Sequence, residues 1–353
     1  MEPLRIAVAL PHLGVYGGIR RFLELSRVWT RQGHTVALLT PPAKPGAEPG
    51  EPWLPYGGER GGLDRLARER WDVLLSPDPE LFLRVDPDAG DALRVLYAVL
   101  EKAPRAEEAW RRADVVLANS ATMKRHLARR GIRAADGVGG VNLEFFRAPS
   151  PDPRPLRTAS GAPVRVLVYG RLSRKRKGTL TAAQAVDRAA HFARVPVELT
   201  LFDAPPPRSV EEGALPIRVP YRWVIRPTQE ELAALYRDTD IFVSAERRAG
   251  WCNTAAEAMA CGAAVVCTPS GTEDFARRGE TALVARWPTR WFLARRILHL
   301  LRHPDERIRI AAAGNRAIQA FGWERTAASV ESEIRAGIQR KHVAAARTSA
   351  ANA

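Results

Sequence analysis

Cysteine is scarce in this chain. Cys252, Cys261 and Cys267 are the only three in 353 residues, and none is paired at CxxC spacing. An odd number so close together excludes a disulfide framework and gives no zinc pattern, so the three read as small buried hydrophobes. Long apolar runs are missing as well. A stretch such as AAVVC at 263–267 falls far short of the roughly 18 residues that a membrane-spanning helix needs. Met1-Glu2-Pro3 leads directly into strand-like LRIAVAL, without the successive basic, apolar and small-residue regions of a secretory leader. The expectation is a cytoplasmic protein.

Acid is the minority charge: 39 Asp and Glu face 54 Lys and Arg, a net charge of +15. Such an excess suits an anionic partner, whether nucleic acid, a phosphate-bearing ligand or an acidic lipid surface. Most of it falls after residue 150 and is densest in RLSRKRKG at 171–178. Clustering of that kind favours a localised anion site. Aromatic residues do not interleave with the cluster, so nucleic-acid binding is not expected, while peripheral contact with an anionic membrane stays open. TRWFLARRILHLLRH at 289–303 mixes apolar residues with arginines; a packed domain helix is favoured over a membrane-surface one.

Hydrophobic residues at 46% and charged residues at 26% place the chain among ordinary globular proteins, and its length suits two α/β domains. RIAVAL, HTVALLT, WDVLLS, RVLYAVL and DVVLANS in the first half, then VRVLVYG, VELTLF, WVI, DIFVS and AAVVC, are short apolar runs separated by helical stretches. That alternation predicts βαβ units and parallel sheets. Between them RAPSPDPRPLRTASGAP, residues 147–163, is rich in proline and small polar residues and reads as a linker. The expected division is an N-terminal Rossmann-like domain over 1–155, a C-terminal one over 156–325, a helix over 326–340 that returns to the first domain, and a flexible tail over 341–353.

Three segments carry candidate chemistry. LGVYGGIR places Gly14, Gly17 and Gly18 between the first strand and first helix, where glycines let backbone amides approach an anion. The spacing is not GxGxxG, and no acidic residue closes the next strand, so a nicotinamide site gains little support. A tight turn without ligand is the alternative. YGRLSRKRKG ends a strand at Gly170 and sets five cationic side chains before Gly178, in the place where open α/β sheets bind diphosphates. Arg171 and Lys177 are the preferred anion ligands, with Arg176 a rival for Lys177 and a solvated basic turn the alternative. In AGWCNTAAEAMACGAAVV at 249–266 a single carboxylate, Glu257, stands in the expected first turn of a short helix capped by Asn253 or Thr254. Two roles stay open for it: completing a capping box with Thr254, or accepting two hydrogen bonds from a diol such as ribose. The D-x-D pairs Asp86/Asp88 and Asp238/Asp240 read as caps and turns rather than metal ligands.

Together these segments resemble glycosyltransferase family 4, enzymes of the GT-B fold. The likeness runs through nearly the whole chain to about residue 335, on YGGIRRFLELSRVWTRQGHTV, DVVLANSATMKRHL, GGVNLEFF, GRLSRKRKG, and EELAALYRDTDIFVS running into AGWCNTAAEAMACGAAVVCTPSGTEDFARRGETALV. The resemblance implies two Rossmann-like domains facing a cleft and transfer of a sugar from a UDP- or GDP-sugar to an acceptor hydroxyl, with retention and without a metal or other cofactor. It implies that Gly17 and Gly18 offer amides to the diphosphate, Arg171 and Lys177 neutralise it, and Glu257 binds the ribose. Gly250, Trp251, Cys252, Asn253 and Thr254 would contact donor sugar and phosphate, Arg226 would line the base pocket, and His12 beside the glycine loop is the acceptor-side candidate. The acceptor itself is not decodable from the loops at 41–63 and 84–106. Two positions depart from the family pattern. Ala249 stands where the first of two glutamates separated by seven intervening residues falls, with Glu246 three residues upstream, and 94–104 lacks the histidine many members carry. A nucleotide-sugar binder without turnover, acting as a partner or regulatory subunit, therefore stays open beside the enzyme.

Overall fold

A computed structural model describes residues 2–14, 17–42, 52, 54–99, 107–149, 161–203 and 214–351. Part of the expected linker, 150–160, lies outside them, as do 43–51, 53 and 100–106 of the expected acceptor loops. The chain divides into two compact units, Met1–Gly140 with Trp323–Ala353, and Val141–Gly322.

The first unit is built on a parallel sheet of seven strands: β1 Arg5–Ala9, β2 Thr35–Thr40, β3 Glu59–Gly62, β4 Val73–Ser76, β5 Leu93–Ala98, β6 Val115–Ala118 and β7 Ala135–Asp136, in the order β3-β2-β1-β4-β5-β6-β7. Its helices are α1 Gly17–Arg31, α2 Arg65–Arg68, α3 Pro79–Val85, α4 Glu107–Arg112 and α5 Ala121–Ala128. The central strands are apolar at successive positions because both faces are covered. Ile6 and Val8 pack with Phe22 and Trp29 on one side, while Ala7 and Leu74 pack with Phe82 and Leu127 on the other.

The second unit carries a six-stranded parallel sheet: β8 Val164–Tyr169, β9 Val197–Asp203, β10 Tyr221–Ile225, β11 Ile241–Ser244, β12 Ala264–Cys267 and β13 Leu283–Val284, in the order β10-β9-β8-β11-β12-β13. Around it lie α6 Thr179–Ala193, α7 Gln229–Arg237, α8 Asn253–Ala260, α9 Arg290–Arg302 and α10 Pro304–Ile318. Val166, Val168, Val243 and Val266 share a core with Ala182, Val186, Leu293 and Ile297 of the covering helices. The 289–303 segment is thus a packed domain helix along one face.

The final helix, α11 Trp323–Ala351, returns to the first unit. Ala327, Val330 and Ile334 are buried in its core, the Thr326 hydroxyl donates to Gly139 O at 2.7 Å, and a Cβ at Gly140 would come within 2.4 Å of the Trp323 ring. The helix runs on through 341–351, where a flexible tail was expected. Alanine has the highest helix propensity of any residue, and VAAARTSAA supplies it densely once the preceding turns are anchored. Three of the four D-x-D carboxylates are tied into the scaffold: Asp86 by Arg94 and by Arg112 at 3.2 Å, Asp238 by the Arg165 guanidinium, and Asp240 by the Arg165 backbone amide at 2.9 Å.

Candidate active site

In each sheet the strand order reverses once, between β1 and β4 and between β8 and β11. Connections leave in opposite directions there, and the crevice beyond the carboxyl ends of the strands is where open α/β sheets bind ligands. In the second unit that position is occupied by the basic loop after β8 and the acidic end of β11.

The loop from Gly170 turns through a short 3-10 segment, Lys175–Lys177, and enters α6 through Gly178 at φ +66°. A Cβ at Gly178 would lie 2.3 Å from the carbonyl oxygen of Ala245. Glycine therefore lets the basic loop close onto the end of β11, and the Arg247 amide ties it by donating to Arg176 O at 2.8 Å. Lys177 then reaches the carboxylate of Glu246, with its ammonium 5.6 Å from the centre of the Tyr169 ring. Arg176 instead donates to Arg248 O at 3.4 Å.

Glu246 is buried at 3% exposure, and while Oε2 pairs with Lys177, Oε1 has no hydrogen-bond partner among the described residues. Arg171 shows the same imbalance. Its guanidinium lies 3.4 Å from buried Asp203 at the end of β9, yet Nε is buried and unpartnered among the described residues. Unmet polar atoms of this kind are unfavourable by about 1–3 kcal/mol each, so two of them on charged side chains at a strand-order reversal point to a ligand-binding function. Burial and the Asp203 charge push the Tyr169 phenol up to about 12, against the opposing pull of Arg171. The hydroxyl stays protonated among these charges.

Arg226, just past β10, is exposed and adopts φ +53°, an uncommon conformation for a residue with a side chain. Its amide donates to Asp203 O at 2.8 Å. Asp203 thereby joins Arg226 and Arg171, one through its carbonyl and one through its carboxylate.

The loop after β11 departs from the expected cap. Helix α8 starts at Asn253, with Cys252 in the cap position and no side-chain capping bond. Thr254 consequently sits inside the first turn and Glu257 at the fifth helical position, two beyond where a capping box requires it. The Cys252 amide, expected to face a ligand, donates to Gly271 O at 2.8 Å, and the Ala249 amide to Ser270 Oγ at 2.8 Å. These bonds pin the loop to the turn after β12, leaving the Asn253, Thr254 and Ala255 amides at the helix start. Gly250 lies between the pinned residues, and Trp251 is buried against Phe275 and Phe321 at ring distances of 4.8 and 5.5 Å. Burial, together with the Glu246 charge, pushes the Cys252 thiol up, with Lys177 opposing.

Glu257 is buried, and Oε2 accepts a hydrogen bond from the Tyr236 hydroxyl at 3.0 Å. Tyr236 is wedged among Phe146, Phe202 and Phe242 with ring distances of 5.7–5.8 Å. The carboxylate is thus held in one orientation, and a carboxylate has capacity for several more hydrogen bonds. Gly17 and Gly18 open α1 in the first unit, beyond the end of β1; exposed His12 there accepts the Gly14 amide at Nδ1, 3.2 Å away. Asp203, Tyr169 and Tyr236 were not singled out from sequence. An acid closing the strand VELTLFD was the one signal that could have found Asp203.

The two parallel sheets and their connections have the GT-B fold. Residues 163–303 match the family described as glycosyl transferases group 1. Solved structures with the same fold include sucrose-phosphate synthase from Thermosynechococcus elongatus, at 18% identity and a TM-score of 0.71, covering 97% of this chain and 100% of that one. Anabaena HepE in complex with UDP and glucose aligns at 13% identity and a TM-score of 0.70, over 94% and 100%. An α,α-trehalose 6-phosphate synthase from Burkholderia multivorans aligns at 15% and 0.69, over 98% and 100%. Among curated protein sequences none matches this chain. No helix among the described residues is long and apolar enough to cross a membrane.

Proposed function

We propose that this protein transfers a sugar from a nucleoside-diphosphate donor, UDP- or GDP-linked, to an acceptor hydroxyl, with retention of anomeric configuration and without a metal ion. The observation that carries the reading is the set of cations and buried, incompletely bonded polar atoms of Arg171, Lys177 and Glu246 at the strand-order reversal. HepE, solved with UDP-glucose, favours UDP as the base carrier.

When the bond from the anomeric carbon to the phosphate oxygen breaks, negative charge builds on the departing diphosphate. Arg171, Lys177 and the amides at the start of α8 stabilise that charge electrostatically, the term that dominates reactions of this type. Their charge does the work a metal would do, and Asp86 and Asp238 of the D-x-D pairs are ion-paired with scaffold arginines. Glu257, oriented by Tyr236, takes the ribose diol, and Arg226 lines the base. Gly17 and Gly18 add amides to the diphosphate, and His12 serves the acceptor side. Glu246 fills the role that Ala249 cannot, its second oxygen accepting a hydroxyl of the donor sugar while the first orients Lys177.

A panel of UDP- and GDP-sugars, scored for hydrolysis or transfer by mass spectrometry in cell extract, tests this reading. Turnover of one donor supports it. Ala249 favours one competitor, a nucleotide-sugar-binding partner without catalysis, and tight binding with no turnover of any donor would establish that instead.

A further inference from the structure

The exposed Trp and Phe side chains among the described residues gather on one layer of the second unit. Trp287 and Trp291 are each 52% exposed, Phe292 45% and Phe192 46%. Trp287 precedes α9, Trp291 and Phe292 form its first turn, and Phe192 ends the adjacent α6. The guanidinium of Arg188 lies 3.6 Å from the Trp291 ring centre and 4.9 Å from that of Phe192, so Phe192, Arg188 and Trp291 form one continuous surface across the two helices. On its inner side α9 buries Leu293, Ile297, Leu300 and Leu301.

Charge on this face is of one sign. From Thr281 to His303 the sequence holds five arginines, Arg286, Arg290, Arg295, Arg296 and Arg302, and no acid. Asp187, the one acid of α6, is spent on the Arg218 and Val219 amides at 2.7 and 3.0 Å. Burial and the neighbouring Arg278 and Arg295 pull the Arg296 guanidinium below its usual value. Here positive charge crowds positive charge.

Exposed aromatics clustered in this way mark an interaction surface. Tryptophan and phenylalanine beside arginines, on a helix whose other face is already packed, match the interfacial zone of a bilayer, where rings enter the headgroup boundary and guanidinium groups meet anionic lipid. We infer that the α6–α9 face seats the protein on an anionic membrane surface. Nucleic acid fits less well, because guanidinium groups of Arg188, Arg286 and Arg290 already lie over the ring faces on which bases would stack. A second copy of this face would oppose arginine to arginine.

Flotation with vesicles of phosphatidylcholine alone, and of phosphatidylcholine mixed equally with phosphatidylglycerol, tests the inference. The protein is expected to bind only the anionic vesicles and to leave them as salt is raised. Arg286→Ala and Arg290→Ala should each lower partitioning about fivefold, the equivalent of about 1 kcal/mol per surface arginine. Trp287→Ser with Phe292→Ser should abolish binding at moderate salt while circular dichroism and thermal unfolding stay unchanged. Failure to bind anionic vesicles would overturn the inference, as would binding indifferent to both sets of variants. Loss of RNA or duplex DNA binding, or of self-association in sedimentation, in those variants without any lipid effect would assign the face to that partner instead.

Discussion

The ammonium of Lys177 is held by the buried carboxylate of Glu246, joining the loop after β8 to the end of β11 at the point where the strand order reverses. Removing one partner should be worse for stability than removing both. Lys177→Met leaves a buried unpaired charge and is expected to destabilise by roughly 2–3 kcal/mol, short of the about 3–5 of a fully enclosed pair because Lys177 keeps some solvent. Adding Glu246→Gln should recover most of that loss. Urea midpoints for the two single variants and the double variant give the coupling, and strictly additive losses would show that the pair is not an energetic unit. On turnover, Glu246→Gln is expected to lower kcat about 100-fold with little change in UDP affinity.

Glu257 and Tyr236 offer a separate readout on the nucleotide. If the carboxylate takes the ribose, Glu257→Ala should weaken UDP binding about 10- to 100-fold, the range for a lost charged hydrogen bond. Tyr236→Phe removes a bond that helps to orient it, and about a threefold to tenfold loss is expected. Titration calorimetry with UDP measures both. Unchanged affinity in Glu257→Ala would leave the residue a purely structural carboxylate.

Gly178 and Gly279 share left-handed backbone, at φ +66° and +76°, but only Gly178 faces an obstacle. A methyl group there would press on Ala245 O at 2.3 Å, whereas nothing lies within 4 Å of the same position at Gly279. Gly279→Ala should cost about 1 kcal/mol from backbone conformation alone. Gly178→Ala should cost more, and by shifting the basic loop should also lower turnover. Equal losses in thermal stability for the two would refute the close approach of loop and strand.

The sheets were legible from sequence because buried parallel strands are apolar at every position, as in IAVA and VVLA, whereas the edge strands β3, β7 and β13 were not. ERGG, AD and LV carry too little pattern, and pairing with a neighbour makes them strands. At the site, the basic cluster and Glu257 stood out as charge in contrast with their surroundings. Their partners did not: Arg171 meets Asp203 across 32 residues and Glu257 meets Tyr236 across 21, separations that strand order sets and local spacing cannot. Thr254 looked like the cap because its side chain is suited to the task. The helix instead starts two residues earlier, with Cys252 in the cap position and its amide donating to the Gly271 carbonyl.

Alkaline pH should unfold the second unit through its thiols. Burial pushes Cys267 from the ordinary 9.0 up to about 12 and raises Cys252 as well. A folded-state value above the unfolded one means that the folded state keeps a proton the unfolded chain loses. The stabilisation is therefore fully present below pH 9.0 and declines as pH rises from there toward about 12. The Cys267 thiol contributes a slope of about 1.4 kcal/mol per pH unit in that window, and Cys252 acts in the same direction. Urea unfolding followed from neutral pH through this range should show a falling midpoint, and Cys267→Ala should flatten the fall after its own constant loss. The same protonation keeps both thiols unreactive, so iodoacetamide should label them in the native protein only as fast as it unfolds. Rapid native labelling at pH 9, or a Cys267→Ala profile parallel to wild type, would contradict the burial that sets these values.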